Sequence, residues 1–350
     1  MANVKPITPN CTVAVHNGSH HADDVFCIAA LKIIEPTIKV IRTRDTEELK
    51  QADFRVDVGF KYDPATGDYD HHQGSFNEHH ASPNKNKYAV GPKMAGFGLI
   101  MRHYGRDVII AALKERGYTY DFNQLEYVYK NLDTRLVSPL DAFDNGEQRL
   151  YYMDSGAYRM PSIIKFIQNY NVNTWMEDTD SMEAFMQAVS VAQAYLRQEI
   201  TRLYGVAMAI PLVAEKIKDC RNGILVLEQY LPWAAAFSVR PELTGDIKMV
   251  VFPSVDGWMF QSPQYRRDTD SKKFSTYMAN GDRRTLRYPA PSNICGKSAE
   301  ELSAITGVPD ARFVHAAGFI GACDTLEGAL KMVSYIINNQ EPGSNTAPNR

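Results

Sequence analysis

The pattern of apolar and polar positions near the N-terminus predicts three short strands divided by helices. Cys11 to His16 (CTVAVH) is β-rich and ends in His-Asn-Gly, a turn signal. Ala22 to Ile34 carries apolar residues at helical spacing until Pro36 stops it. A second β-rich run covers Ile38 to Ile41, a short polar helix covers Glu47 to Gln51, and a third run, Phe54 to Val58, closes at Gly59. Strands separated by helices of this length predict βαβ units and a parallel sheet. Lys61 to Tyr88 is polar and rich in Asn, His, Pro and Gly, which predicts irregular structure. Helical patterns dominate from about Met94 to Val137 and from about Ser181 to Lys218.

After Cys220 the character changes. Gly223 to Leu227 and Ile247 to Phe252 read as strands, and Val255-Asp256-Gly257-Trp258 as a hairpin turn. Ser298 to Ile305 and Leu326 to Asn338 read as helices, with Asp324 as the cap of an Asp324-Thr325-Leu326-Glu327 capping box. The chain is therefore expected to be α/β, with a parallel-sheet domain over 1–195 and a helical linker over 196–221. A smaller α/β domain over 222–340 and a disordered tail over 341–350 complete it.

Composition narrows the function classes. With 350 residues, about two domains are expected at roughly 150 residues each. At 44% hydrophobic and 23% charged residues the chain is neither disordered nor fibrous. No apolar run reaches the ~20 residues that span a bilayer, and MANVKPITPN has neither the apolar core of a signal peptide nor a transit-peptide pattern. Five widely spaced cysteines without C-x-x-C argue against a disulfide framework or a zinc ribbon and for a reducing compartment. A cytoplasmic place is expected, with a nuclear or organellar one as the alternative in a eukaryote. A net charge of −3 argues against non-specific coating of nucleic acid but leaves room for a local basic groove.

Histidine is the informative residue. Seven of the nine lie between His16 and His80, sharing that window with Asp23, Asp24, Asp57, Asp63, Asp68 and Asp70. Imidazole with carboxylate is the usual ligand set for catalytic Mn²⁺, Fe²⁺, Co²⁺ or Zn²⁺. His16 closes the first strand, His21 and Asp23 open the next helix, and Asp57 sits near the end of the third strand. In open α/β sheets sites lie beyond the carboxyl ends of the strands, so these segments can converge there.

The triplet Asp70-His71-His72, after Val56-Asp57-Val58-Gly59 and a His-rich first turn, resembles the DHH phosphoesterases. More closely, the chain resembles the melanocyte-proliferating-gene-one family of metal-dependent exonucleases. That resemblance rests on His16-Asn17-Gly18 with His21-x-Asp23, Arg42-Thr43-Arg44-Asp45, and Tyr69-Asp70-His71-His72-Gln73 with Ser75-Phe76. It continues in Asp141-Ala142-Phe143-Asp144-Asn145-Gly146 and in Phe313 to Gly321 (FVHAAGFIG). The resemblance implies a DHH-type N-terminal domain with two divalent ions, Mn²⁺ first, with Mg²⁺, Co²⁺ and Zn²⁺ as alternatives. Asp57 would bridge the ions. His16 and His21 would complete one site, and Asp23, His71 and a late aspartate the other. Asp144 and Asp141 are both candidates, and Asp144 is preferred because Asp-Asn-Gly resembles the Asp-Thr-Gly of related enzymes. His72 would face the substrate and neutralise charge or donate a proton. His315, Gly318 and Gly321 would contact substrate. The chain departs from the family at His20, where an aromatic is usual, at Asp24, where Glu is usual, and after Gly321, where Gly-His is common.

Other residues have plainer readings. His79 and His80, in an Asn-, Ser- and Lys-rich stretch, are expected to be solvated and His103 to be structural, while Asp45, after Arg42 and Arg44, fits a site role and a cap of the next helix equally. Arg283, Arg284 and Arg287, among the aromatics of Gln264 to Pro289, fit a nucleic-acid groove and a solvated loop equally well. Gly296-Lys297-Ser298 is no P-loop, since Pro291 stands at the first glycine, and neither H-E-x-x-H nor G-x-S-x-G occurs. The leading expectation is a metal-dependent phosphodiesterase that shortens single-stranded RNA or short oligonucleotides by a two-metal activated water. A hydrolase of pyrophosphate or another small phosphate ester is the alternative, and a non-catalytic metal-stabilised binding module the third reading. No membrane partner is expected, and a homo-oligomer is left open.

Overall fold

The computed structural model describes residues 3–82, 89–147, 162–171, 181–263 and 288–340. It divides into two compact units, Met1–Tyr204 and Gly205–Arg350. The division falls inside a single helix, Ser181–Ile217.

The first unit is built on strands β1 (Thr12–Val15), β2 (Lys39–Arg42), β3 (Phe54–Val56), β4 (Tyr62–Asp63) and β5 (Asp68–Tyr69). Their order is β2-β1-β3-β5-β4, parallel except for the β4–β5 pair. The two-residue period of a strand separates its faces. Val13 and Val15 enter the large core, while Ala14 meets Leu49, Ala52 and Val58 in a small cluster on the other face. Helix α1 (Ala22–Ile34) is buried at all but two of its positions, Lys32 and Ile34. That burial explains why it is apolar nearly all round rather than along one stripe. Helix α2 (Thr46–Gln51) starts where Asp45 accepts the Glu47 and Glu48 amide hydrogens.

The stretch 61–88, expected to be irregular, contains β4 and β5, and β5 pairs in parallel with β3. Two residues are too few for a hydrophobic period to register. What holds the hairpin is chemistry: Asp68 is ion-paired to Arg55 and lies 3.0 Å from the Lys61 ammonium, and Tyr69 is fully buried. The consequence is functional, because Asp70-His71-His72 now follows the end of a strand. Helices α3 (Gly96–Glu115), α4 (Phe122–Leu132), a π-helical turn (Asp133–Val137), α5 (Ser138–Asp144) and α6 (Ile163–Gln168) follow. In helix α7 (Ser181–Ile217), Phe185, Ala188, Val189, Ala192, Leu196, Ile200 and Leu203 enter the first core at helical spacing.

The second unit holds β6 (Ile224–Val226), α8 (Trp233–Val239), β7 (Met249–Ser254), β8 (Gly257–Gln261), α9 (Ala299–Thr306), β9 (Ala311–Val314), β10 (Ile320–Cys323) and α10 (Leu326–Asn338). Its sheet runs β6-β7-β8-β10-β9, antiparallel apart from β6–β7. Both units are thus α/β. Helix α10 is capped by Thr325 rather than Asp324. The Thr325 hydroxyl oxygen accepts the Gly328 amide hydrogen at 3.0 Å, and Asp310 in turn accepts from the Thr325 amide. Among the described residues no helix is long and apolar enough to cross a membrane.

Candidate metal centre

The site lies in the first unit, where the ends of three strands and two helices meet. His16 follows β1, Asp57 follows β3, and the Asp70-His71-His72 triplet follows β5, all at carboxyl ends of parallel strands. His21, Asp23 and Asp24 come from the start of α1, and Asp144 from the end of α5. Asp57 holds a left-handed backbone at φ 55°. Aspartate tolerates that conformation better than most residues, and such strain gathers at functional sites.

Asp57 is the hub. Its Oδ2 lies 3.4 Å from His16 Nε2 and its Oδ1 3.2 Å from His71 Nε2. His16 Nε2 is also 3.2 Å from Asp24 Oδ2, and His71 Nε2 is 3.4 Å from Asp144 Oδ2. Asp144 Oδ1 lies 3.7 Å from His21 Nδ1. Three sets have their donor atoms within 4.8 Å of one another: His16, His21 and Asp57; Asp57, His71 and His72; Asp23, His71 and Asp144. Asp57 and His71 each belong to two sets.

These groups approach without hydrogen-bonding. Among the described residues seven buried side-chain polar atoms lack a hydrogen-bond partner, and five of them meet here: His16 Nε2, Asp23 Oδ2, Asp24 Oδ2, Asp57 Oδ1 and His71 Nε2. A buried polar atom without a partner costs about 1–3 kcal/mol, so five at one point need a common explanation. His16 supplies it. Its Nδ1 is 3.0 Å from the Asn17 carbonyl oxygen, which can only accept, so Nδ1 carries the hydrogen. In the neutral ring a lone pair on Nε2 then faces two carboxylates, a repulsion that a cation between them would relieve. The residues present fit a divalent metal.

The electrostatics agree. Burial opposes charge on Asp57, but the His16 and His71 imidazoles beside it hold its carboxyl well below the usual range. Burial pushes Asp23 well up, with Asp144 and Asp57 adding repulsion, and it likewise raises Asp144. Asp24 is raised to about 7 by burial, with His16 opposing. Clustered carboxylates that repel one another in a dry site are relieved by a cation.

Two glycines make room. A Cβ on Gly96 would stand 2.7 Å from Asp23 Oδ2, and one on Gly98 1.9 Å from Asp141 Oδ2. The first turn of α3 can therefore lie against the carboxylates, with the Phe97 amide donating to Asp23 Oδ1 at 2.9 Å. Nothing in the local pattern of Gly96-Phe97-Gly98 marks this role.

Asp141 is placed elsewhere. Its carboxylate accepts from the Ala95 and Gly98 amides at 2.8 and 3.1 Å and lies 2.7 Å from His80 Nε2. It belongs to none of the three sets, whereas Asp144 does. His80, expected to be solvated, is buried between Asp141 and Asp133, because its partners come from sequence 53 and 61 positions away. His20 is buried too, and burial lowers it to about 4, so it is a neutral packing residue against Phe185. His103 is hydrogen-bonded to the Tyr62 hydroxyl at 2.8 Å. His72 is half-exposed, and its Nδ1 is 2.7 Å from Asp70 Oδ1. Asp70 raises the His72 pKa against burial.

His315, Gly318 and Gly321 stand together on the β9–β10 hairpin of the second unit. His315 Nδ1 accepts from the Ala317 amide at 3.0 Å, and Gly318 turns the chain at φ 70°. Arg283, Arg284 and Arg287 lie outside the described residues.

A cavity of about 740 Å³ opens beside the centre, lined by His16, His21, Asp57 and His72 and by Arg44, Leu49, Lys50, Val58 and Phe60. Its size is that of a small-molecule site, about 300–1,000 Å³.

Comparison with known proteins places the chain. A family model for the MYG1 exonucleases, described as an uncharacterised protein family (UPF0160), matches residues 12–337. A MYG1 protein of Schizosaccharomyces pombe is 30% identical over 333 residues, covering 91% of this chain and 95% of the relative. One from Dictyostelium discoideum is 31% identical over 343 residues, covering 93% and 96%. The human MYG1 exonuclease is 27% identical over 330 residues, covering 91% and 84%. Among solved structures, RecJ of Thermus thermophilus in complex with Mn²⁺ aligns with 13% identity and a TM-score of 0.27, covering 95% of this chain and 53% of RecJ. By the extent of the family match and of these relatives, this chain belongs to the MYG1 exonuclease family.

Proposed function

We propose that the protein is a metal-dependent phosphodiesterase that removes nucleotides from the ends of single-stranded RNA or short oligonucleotides. Membership of the MYG1 exonuclease family makes it a hydrolytic nuclease, and the observation that carries the metal dependence is the convergence of five orphaned buried donor atoms around Asp57. His16, His21 and Asp57 would hold one ion, and Asp23, His71, Asp144 and the shared Asp57 a second, with Mn²⁺ the first candidate. When bound, such ions supply Lewis-acid neutralisation of a phosphoryl oxygen and a water of lowered pKa.

The chain's own groups do the rest. Asp70 Oδ1 fixes the His72 ring through Nδ1 and favours the imidazolium, leaving Nε2 as the nitrogen that can donate a proton to a departing oxygen. His72 is thus assigned to the leaving group rather than to metal, although its Nδ1 is 3.6 Å from Asp57 Oδ1. Asp57 holds its negative charge at neutral pH and keeps the two imidazoles turned inward. A reducing, cytoplasmic setting is in keeping with the free thiols of Cys11, Cys27, Cys220 and Cys323.

The test is end-labelled single-stranded RNA and DNA incubated with Mn²⁺, Mg²⁺, Co²⁺ or Zn²⁺, and with chelator. Stepwise shortening that chelator abolishes is the expected result. Rapid phosphate release from pyrophosphate without shortening would replace the nuclease by a small-ester hydrolase, and no turnover of either with any metal would leave only a binding module.

A further inference from the structure

We propose that Phe60 is the platform of a nucleobase subsite, on which the base of the nucleotide at the metal centre stacks. The proposal rests on the nuclease reading above and gives that site its specificity for nucleotides over bare phosphate esters.

Phe60 is unusual in three ways that converge. Its side chain is 74% exposed although it borders the cavity beside the site. Its backbone is left-handed, at φ 54°, a conformation that bulky side chains rarely adopt. And its position is enforced by a group the site already uses. The Phe60 amide donates to Asp70 Oδ2 at 2.6 Å, while Asp70 Oδ1 holds the His72 ring at 2.7 Å and accepts from the His72 amide at 3.1 Å. One carboxylate therefore sets both the aromatic ring and the histidine. The two rings stand edge to face, with centroids 6.3 Å apart and planes at 62°. A single exposed phenylalanine needs no explanation. An exposed one held in a strained conformation by a buried carboxylate next to a hydrolytic centre does.

The rest of the cavity fits the same ligand. Leu49 and Val58 line it beside Phe60, giving an apolar patch suited to a flat ring. Arg44 also lines it, donating to both oxygens of Asn17 and making no ion pair among the described residues. Its charge is therefore available to a phosphate. Arg55 and Lys61, by contrast, are committed to Asp68. Apolar face, uncompensated cation and metal-site carboxylates in one cavity match base, phosphate backbone and scissile phosphate in turn. Base–aromatic stacking is tolerant of sequence, because every base offers a π-face.

The test is calorimetric titration of the Mn²⁺-loaded protein with adenosine 5′-monophosphate and with ribose 5-phosphate, which differ by the base alone. The intact chain should bind the nucleotide about tenfold or more tightly than the sugar phosphate. Phe60→Ala should remove that preference, Phe60→Trp should keep it, and Phe60→Leu, which preserves bulk, should lose most of it and guard against a folding defect. An undiminished preference in both Phe60→Ala and Phe60→Leu would overturn the proposal. So would a change of oligomeric state on gel filtration with the preference intact, which would assign the ring to an interface between copies. Because the readout is binding, failure of the protein to shorten any strand would reject the nuclease reading while leaving the base preference to be judged separately.

Discussion

His80 gives the sharpest test of the site's framework. Its ring is almost fully buried, with Nδ1 2.8 Å from Asp133 and Nε2 2.7 Å from Asp141. Burial alone would depress the pKa, but the two carboxylates raise it from 6.5 to about 9, so the ring is an imidazolium at neutral pH. That rise corresponds to about 3 kcal/mol of preference for the charged ring in the folded state. Removing one partner of a buried ion pair costs about 3–5 kcal/mol by an independent route, because the remaining charge is stranded. Asp141 is fully buried and keeps only its two amide donors. His80→Ala should therefore lose about 3 kcal/mol at pH 6, measured by urea unfolding followed by far-UV circular dichroism. Because the folded pKa lies above the unfolded one, the contribution is complete below pH 6.5 and fades as the pH rises through about 9. The gap between wild type and variant should shrink steadily from pH 6 to pH 10. A loss below 1 kcal/mol at pH 6, or a gap that is the same at both ends, would refute the reasoning. Since Asp141 and Asp144 share helix α5, the variant should also bind metal more weakly although His80 is no ligand.

The remaining predictions concern the centre itself. Asp57→Asn removes the charge that two donor sets share, so metal content by elemental analysis and strand shortening should fall together; retention of both would remove the basis for a shared carboxylate. His71→Ala should lower metal content, whereas His72→Ala should leave it nearly intact and lower turnover, and equal metal loss would show the pair wrongly assigned. Gly98→Ala places a methyl 1.9 Å from Asp141 Oδ2 and 2.8 Å from His80 Nε2. A cost of about 1–3 kcal/mol is expected from such overpacking, and an unchanged urea midpoint would contradict the close approach.

The sequence is legible where its signals are local. Helix α1 begins and ends where the apolar period and Pro36 place it, and α10 spans Leu326–Asn338 as its period indicates. The βαβ order of the first three strands follows from alternation alone. Hairpin β4–β5 was illegible because two residues carry no period, and what holds it is the Asp68 ion pairs together with the burial of Tyr69. The cap of α10 was misplaced by one residue because Asp324 and Thr325 are equally good caps, and the choice rests on Asp310, a partner supplied by the preceding turn. His80 was misread for the same reason on a larger scale. Its neighbours in sequence are polar, and its partners Asp133 and Asp141 are reached only through the fold.

That contrast extends to the site. Of the residues placed there from sequence, His16, His21, Asp23, Asp57, His71, His72 and Asp144 have donor atoms in the three converging sets, and Asp141 does not. Each carries a side chain whose chemistry announces itself. What surrounds them is made of groups that are ordinary in sequence: the Phe97 amide on Asp23, the Asn17 carbonyl on His16, the Asp70 carboxylate on His72. These supports fix tautomers and leave chosen atoms without partners. A carboxylate held by one amide hydrogen bond, such as Asp23 with Oδ1 bonded and Oδ2 bare, is costly in isolation and useful only when a cation completes it. Metal binding would offset the mutual repulsion of carboxyls whose pKa values burial has raised, and so stabilise the first unit. The unpaired atoms around Asp57 are thus a cost to folding that a bound cation would offset.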